Sequence, residues 1–223
     1  MQAPSRRLVA EGLATAMLVA TVVGSGIMAE RLAGGQGAIA LLANMVATGA
    51  ILVALLLTFG PISGAHLNPV VSLGEVWLGR LAPREGAGYV AAQVLGALAG
   101  VLLADGMFGL PLLDASHHAR AGFAPVVSEA VATFGLLAVI HGCGRFRPGA
   151  LPAAVPAYIV AAYWFTPSTS FANPAVTIAR ALTDSFAGIR PVDVPGFVGG
   201  QLVGGLAAVA LFRWLHAGSD GTA

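Results

Sequence analysis

Two short stretches decide how this chain folds: Asn68-Pro69-Val70-Val71 and Asn173-Pro174-Ala175-Val176, 105 residues apart. Asn is a favoured helix N-cap and Pro a favoured first helical residue, so each stretch reads as a helix start. Ten or eleven residues follow before a break, Gly79-Arg80 in one copy and Thr183-Asp184 in the other. At about 1.5 Å per residue that is about 16 Å, half of a roughly 30 Å hydrocarbon core. Both helices are therefore expected to start near the midplane of a membrane. The stretches before them, Gly60-Pro-Ile-Ser-Gly-Ala-His66 and Thr166-Pro-Ser-Thr-Ser170, are rich in Gly, Pro and Ser and read as loops. Irregular backbone survives at that depth only when buried in protein or lining water.

The rest of the chain supplies the membrane. Of 223 residues, 57% are hydrophobic and 9% charged; soluble domains average about 25% charged. A water-solvated surface and disorder are both excluded. All 11 basic side chains are Arg, and the formal net charge of +1 argues against nucleic-acid binding. One cysteine, Cys143, excludes an intrachain disulfide or a cysteine zinc cluster. His117, His118 and Cys143 are read as loop and helix residues rather than metal ligands, and no cofactor is implied.

Charge-free windows place the spans. Gly12–Ala29, Gly86–Ala104, Ala130–Gly144 and Val194–Phe212 fit one spanning helix each. Leu32–Gly74 and Pro148–Ala179 are too long for one helix and awkward for two. Six spans result, at roughly 8–29, 38–59, 86–107, 123–143, 150–166 and 195–215, with two apolar pieces left over near 66–79 and 171–183. The first span is too long for a signal-peptide core. Alternate loops carry seven Arg on one side and four on the other, which predicts cytoplasmic N- and C-termini.

The chain also resembles itself. Glu11-Gly-Leu-Ala-Thr15 matches Glu129-Ala-Val-Ala-Thr133, and Gln93-Val-Leu-Gly96 matches Gln201-Leu-Val-Gly204. With the two Asn-Pro boxes, three matches fall in the same order. The chain thus reads as a single domain, 1–223, built from repeats of approximately 1–118 and 119–223. Three spans per unit make the second copy enter from the opposite side, an inverted repeat, and paired Pro-interrupted segments in such halves point to a transport site. The predicted fold class is an all-α membrane protein: six transmembrane helices plus two re-entrant half-helices. Gly96, Gly100, Gly200 and Gly204 are expected to allow close contact between the copies.

This combination resembles the aquaporin, or major intrinsic protein, family over almost the whole chain. The pore boxes are Asn68, Pro69, Val70 and Asn173, Pro174, Ala175, with Val70 standing where the family has Ala. Ser63-Gly64-Ala65-His66 matches the family's run before the first box, and Glu11 and Glu129 match its buried glutamates. Each carboxylate is expected to brace the loop of its own half; a proton relay is the other reading. His66 reads as a pore-side donor or pH sensor, or as a loop brace.

The resemblance also implies an outer constriction of four residues, and here the chain departs. Val176 stands where the family usually has Arg, three after the second-box Asn. Ser170, three before it, Thr48 on span 2 and Ala161 on span 5 complete the set. Small, uncharged side chains widen a neck and remove its barrier to cations. Such a neck suits polyols, urea-like solutes and undissociated metalloid acids such as arsenous acid. Asn173-Pro-Ala-Val-Thr-Ile-Ala-Arg180 and Tyr163-Trp-Phe-Thr-Pro-Ser-Thr-Ser-Phe171 resemble a bacterial aquaglyceroporin subgroup associated with arsenic-resistance operons. Arg180 lies one turn past Val176, either as a displaced charge at the outer mouth or as a cation near a helix C-terminus.

The expected function is therefore a passive channel for small neutral solutes and water, not an enzyme. Its expected setting is the lipid bilayer of a bacterial inner membrane, as a multi-pass homotetramer. An ordinary water or glycerol pore is the rival within the class. A coupled secondary transporter would need titratable groups at its substrate site, for which Glu11, Glu129 and His66 are the candidates. An intramembrane serine protease using Ser63 and His66 would leave the duplicated boxes without a reason.

Overall fold

The computed structural model describes residues 3–217. Within them the chain forms eight α-helices and no strand: α1 Pro4–Leu32, α2 Gly37–Ser63, α3 Pro69–Trp77, α4 Pro83–Phe108, α5 Phe123–Phe146, α6 Leu151–Phe165, α7 Pro174–Arg180 and α8 Val194–His216. Six stretches are long and apolar enough to cross a membrane: α1, α2, α4, α5, α6 with its leading turn from Pro148, and α8 with its leading turn from Pro191. They match the six expected spans. Leu13, Val46, Leu95, Val131, Trp164 and Val203 stand exposed on the outside of the bundle, as a lipid-facing surface requires.

The two leftover pieces are the short helices α3 and α7. Both are shorter than the expected ten or eleven residues: 9 for α3 and 7 for α7. At about 1.5 Å per residue they rise about 14 and 10 Å. The second ends early because Arg180 turns to the carbonyl of Ala187 and Ile189 N–H bonds Arg180 O, which draws the chain back on itself.

The first loop is also shorter than its composition indicated. Helix α2 runs through Gly60 and Pro61 to Ser63 and stops at Gly64, whose φ of 91° is open to glycine. Pro61 removes one helical N–H, and a single such loss is tolerated where neighbours re-satisfy the backbone. The carbonyl of Ser63 is taken by the Tyr89 hydroxyl at 2.8 Å.

Packing repeats between the halves: α1 lies against α4 and α5 against α8, α1 against α2 and α5 against α6, α3 against α8 and α4 against α7. The glycine contacts expected between the copies fall inside each half instead. A methyl group on Gly96 would overlap the carbonyl oxygen of Gly12, and one on Gly204 that of Ala130. Gly12 and Ala130 directly follow Glu11 and Glu129. The closest helix approach in each half therefore lies beside its buried carboxylate.

Candidate functional site

The two half-helices meet end to end at their capping residues. Asn68 Oδ1 accepts from Val70 N at 3.0 Å, and Asn173 Oδ1 accepts from Ala175 N at 3.0 Å and Val176 N at 3.3 Å. Each side chain therefore caps its own helix. Its amide then reaches across: Asn68 Nδ2 donates to Ala172 O and Asn173 Nδ2 to Leu67 O, both at 2.7 Å. Ala172 and Leu67 are the residues just before the opposite Asn, so the exchange is reciprocal. An amide nitrogen has two hydrogens, and both Asn line the same central cavity. One hydrogen of each remains for a solute.

The loops that carry these caps are strained. Ala65, Leu67, Thr169, Ser170 and Ala172 all have φ between 47° and 62°. Left-handed geometry costs a non-glycine residue about 1–2 kcal/mol, so the surroundings must impose it. They do so through Glu11 and Glu129, both fully buried. Glu11 accepts from Ser63 Oγ at 2.6 Å, His66 N at 2.9 Å, Leu67 N at 2.8 Å and Gln93 Nε2 at 2.8 Å. Glu129 accepts from Phe171 N at 2.9 Å, Ala172 N at 2.8 Å and Gln201 Nε2 at 2.6 Å, and Ser168 bonds it as Ser63 bonds Glu11. Neither lines the cavity. This is the bracing arrangement; every group on these oxygens that has a fixed role is a donor, as an acceptor-only carboxylate requires.

Gln93 and Gln201 were visible as a repeat but not as part of this site. Each amide also donates to a hydroxyl on the half-helix, Ser72 at 3.0 Å and Thr177 at 2.8 Å. Each glutamine thus ties the buried carboxylate to the first turns of a half-helix. His66 takes both of its expected positions. It lines the cavity, while its Nδ1 lies 3.0 Å from Ser72 Oγ and its ring meets Tyr89 edge-on.

The central cavity encloses about 580 Å³ and runs from Pro148 and Pro152 past both boxes to Arg180. Thr48, Ser170 and Val176 line it together. Ala161 does not. It is exposed on the outside of α6, whereas Val155, Ile159 and Tyr163, four residues apart, form the lumenal face. Two residues of helix turn a side chain by about 200°, from lumen to lipid. Tyr163, which the count from Asn173 missed, holds its hydroxyl 3.2 Å from Thr48 Oγ1, which also donates to Asn44 O at 2.9 Å. The Ser170 hydroxyl is buried without a partner among the described residues.

Arg180 also lines the cavity, at 3% exposure. Its guanidinium lies over the Phe171 ring at 3.4 Å, and Arg120 approaches the same ring at 4.9 Å. Arg120 donates from Nε to Gly188 O at 2.8 Å and from its backbone N–H to Asp193 Oδ2 at 2.8 Å, which fastens the loop before α5 to the loop after α7. Burial pushes the Arg120 guanidinium down to about 10, so it stays cationic at neutral pH. In the same loops His117 bonds Asp184 through both N–H at 2.9 Å and ring nitrogen at 3.1 Å. Those two bonds hold the Asp184 carboxyl below its ordinary value. Cys143 is a free thiol near the far end of α5.

Known proteins are similar to this chain in sequence and in fold. A profile described as Major intrinsic protein matches residues 2–163. Aquaglyceroporin AqpS of Rhizobium meliloti (strain 1021) is 57% identical over 211 residues, covering 95% of this chain and 90% of that protein. Probable aquaporin TIP2-2 of Oryza sativa subsp. japonica is 28% identical over 225 residues, covering 95% and 88%. The X-ray structure of the aquaglyceroporin from Plasmodium falciparum superposes with a TM-score of 0.65 over 98% of both chains, at 20% identity, a likeness of fold.

Proposed function

This chain belongs to the major intrinsic protein family of multi-pass membrane channels and is not an enzyme; on that premise we propose that it is a passive channel for water, glycerol-like polyols and undissociated metalloid acids such as arsenous acid. One observation carries the reading. Val176 occupies the lumenal position three residues past the second-box Asn, beside Thr48 and the unpartnered Ser170 hydroxyl. A neck of this kind offers hydrogen bonds without a fixed charge at that level. The relative named an aquaglyceroporin supports polyols as solutes.

The mechanism follows from the caps. Two half-helices point their N-termini, each worth about half a positive charge, at one midplane point. Cations meet a barrier there, and a neutral solute meets the two free Asn hydrogens. Arg180 places the nearest fixed positive charge one turn further out than Val176, pressed to the wall by Phe171. Glu11 and Glu129 act by holding the loops and do not line the cavity, which removes the two buried carboxylates as coupling groups of a transporter. Around this core we propose repeats of 1–118 and 119–223, cytoplasmic termini, a bacterial inner membrane and a homotetramer.

A narrower water or glycerol pore is the second reading, favoured by Tyr163 reaching across to Thr48. Liposomes containing the purified protein, challenged with water, glycerol, urea and arsenous acid gradients, separate the two. Solute flux well above that of empty liposomes is expected for glycerol and arsenous acid. Fast water flux without either would overturn the wide-neck reading.

A further inference from the structure

A second cavity, of about 170 Å³, opens where the C-terminal ends of α3, α5 and α8 come together. Arg80 from the turn before α4, Arg145 from the end of α5, and Arg213 and His216 from the end of α8 all line it. His141 lines it as well; its side chain is 5% exposed, and its Nε2 has no partner among the described residues. No acidic residue is in the lining. Helix C-termini attract cations, which gives Arg145 and Arg213 a local reason. Arg80 sits just past the end of α3, where its N–H bonds Glu75 O at 2.9 Å, so its reason is local as well. What no single helix end explains is that basic side chains from three separate elements, with the buried His141 among them, line one small cavity.

The geometry points to a binding site for a phosphate-type anion. Drug-sized ligands need about 300–1,000 Å³, so this cavity takes a small ion or a single headgroup. Three guanidiniums suit it, because their planar forks donate in pairs to phosphate oxygens. Free phosphate and the phosphodiester of an anionic lipid present the same kind of oxygens, and basic pockets between spanning helices bind anionic lipid headgroups.

Occupancy has a route to the lumen, a step that rests on the channel reading above. Glu75 lines the central cavity, and its Oε1 lies 3.5 Å from Arg80 Nη1 and 3.8 Å from His141 Nδ1. An anion drawing Arg80 and His141 toward itself loosens both from Glu75 and changes the charge at the inner mouth.

The test uses the full chain and the variant Arg80→Gln/Arg213→Gln, two exposed positions whose replacement leaves the core intact. In detergent, sodium phosphate is titrated against sodium chloride at equal ionic strength while the unfolding midpoint is followed. In parallel, native mass spectrometry counts retained phosphatidylglycerol against phosphatidylcholine. A phosphate-dependent rise that the variant loses identifies free phosphate. Selective phosphatidylglycerol retention that the variant loses identifies the lipid headgroup. Neither effect, or either effect undiminished in the variant, overturns the site. In liposomes, glycerol flux should change at least twofold with the identified anion in the parent and not in the variant. Binding with unaltered flux overturns the Glu75 link. Absence of basal flux overturns the channel reading and leaves the binding result standing.

Discussion

Replacing Glu129 by Gln tests whether the buried carboxylate holds the second pore loop. The substitution keeps shape and volume but turns one acceptor oxygen into a donor. The least costly orientation keeps an oxygen toward Ala172 N and Gln201 Nε2 and sets the new amide against Phe171 N. A buried N–H left unpaired costs about 1–3 kcal/mol, and two remaining bonds that lose their charge weaken by about 1 kcal/mol each. The sum is about 3–5 kcal/mol. It is taken from a loop already carrying left-handed residues at Thr169, Ser170 and Ala172. Since about 1.4 kcal/mol is tenfold, local opening should become about 100- to 5,000-fold more populated. Hydrogen–deuterium exchange across 168–173 reads this directly, with exchange in 83–108 as the internal control. Glycerol flux should fall with it. Exchange at Phe171 and Ala172 within threefold of the parent would refute the bracing role. If pH dependence of flux were lost at the same time, a proton relay would replace it.

Four further outcomes are expected. Val176→Arg should reduce glycerol flux at least tenfold, since it adds a large cation to the lumen one turn below Arg180; an unchanged flux would place the constriction elsewhere. Arg180→Ala should alter the ratio of solute to ion conductance by removing the fixed charge on the outer lumen wall, and identical selectivity would reduce Arg180 to a loop fastener. Gly204→Ala should lower the unfolding midpoint, because its methyl meets the Ala130 carbonyl; overpacking of about 1–3 kcal/mol corresponds to roughly 2–12 °C for a chain of this size. Gly199→Ala, with open space at its Cβ, is the control, and equal shifts in the two would remove the close-approach explanation. Asp184 is held below its ordinary value by His117, so the stabilisation it gives the outer loop is present above about pH 4 and lost as pH falls through its folded value. Exchange of the His117 amide should accelerate below that point and stay flat between pH 5 and 7.

How much was legible before the structure depended on how local each signal was. The Asn-Pro boxes act through their own two residues, so the helix starts at Pro69 and Pro174 were readable. The helix ends were not, because Arg180 stops α7 by bonding Ala187, seven residues on. Thr48, Ser170 and Val176 were found by counting from the boxes. Tyr163 was missed by the same method, which named Ala161 instead, because two residues of error along a helix exchange lumen for lipid, and the path of the chain from α6 to α7 sets that register. The glycines were correctly read as contact points and wrongly paired, since spacing identifies a flat helix surface but not the helix that meets it.

The residues alone therefore determined the membrane setting, the six spans, the two short helices and the boxes at their tips. Each of these is written in composition, in periodicity or in a pair of adjacent side chains. Tertiary structure decided what joins them: Asn68 and Asn173 each bonding the residue before the other, Gln93 and Gln201 tying each carboxylate to its half-helix, and Tyr163 beside Thr48 in the neck. These contacts link positions 21 to 115 residues apart. No local pattern encodes such pairs, because which side chains meet depends on how six helices cross, and that is settled by packing of the whole bundle.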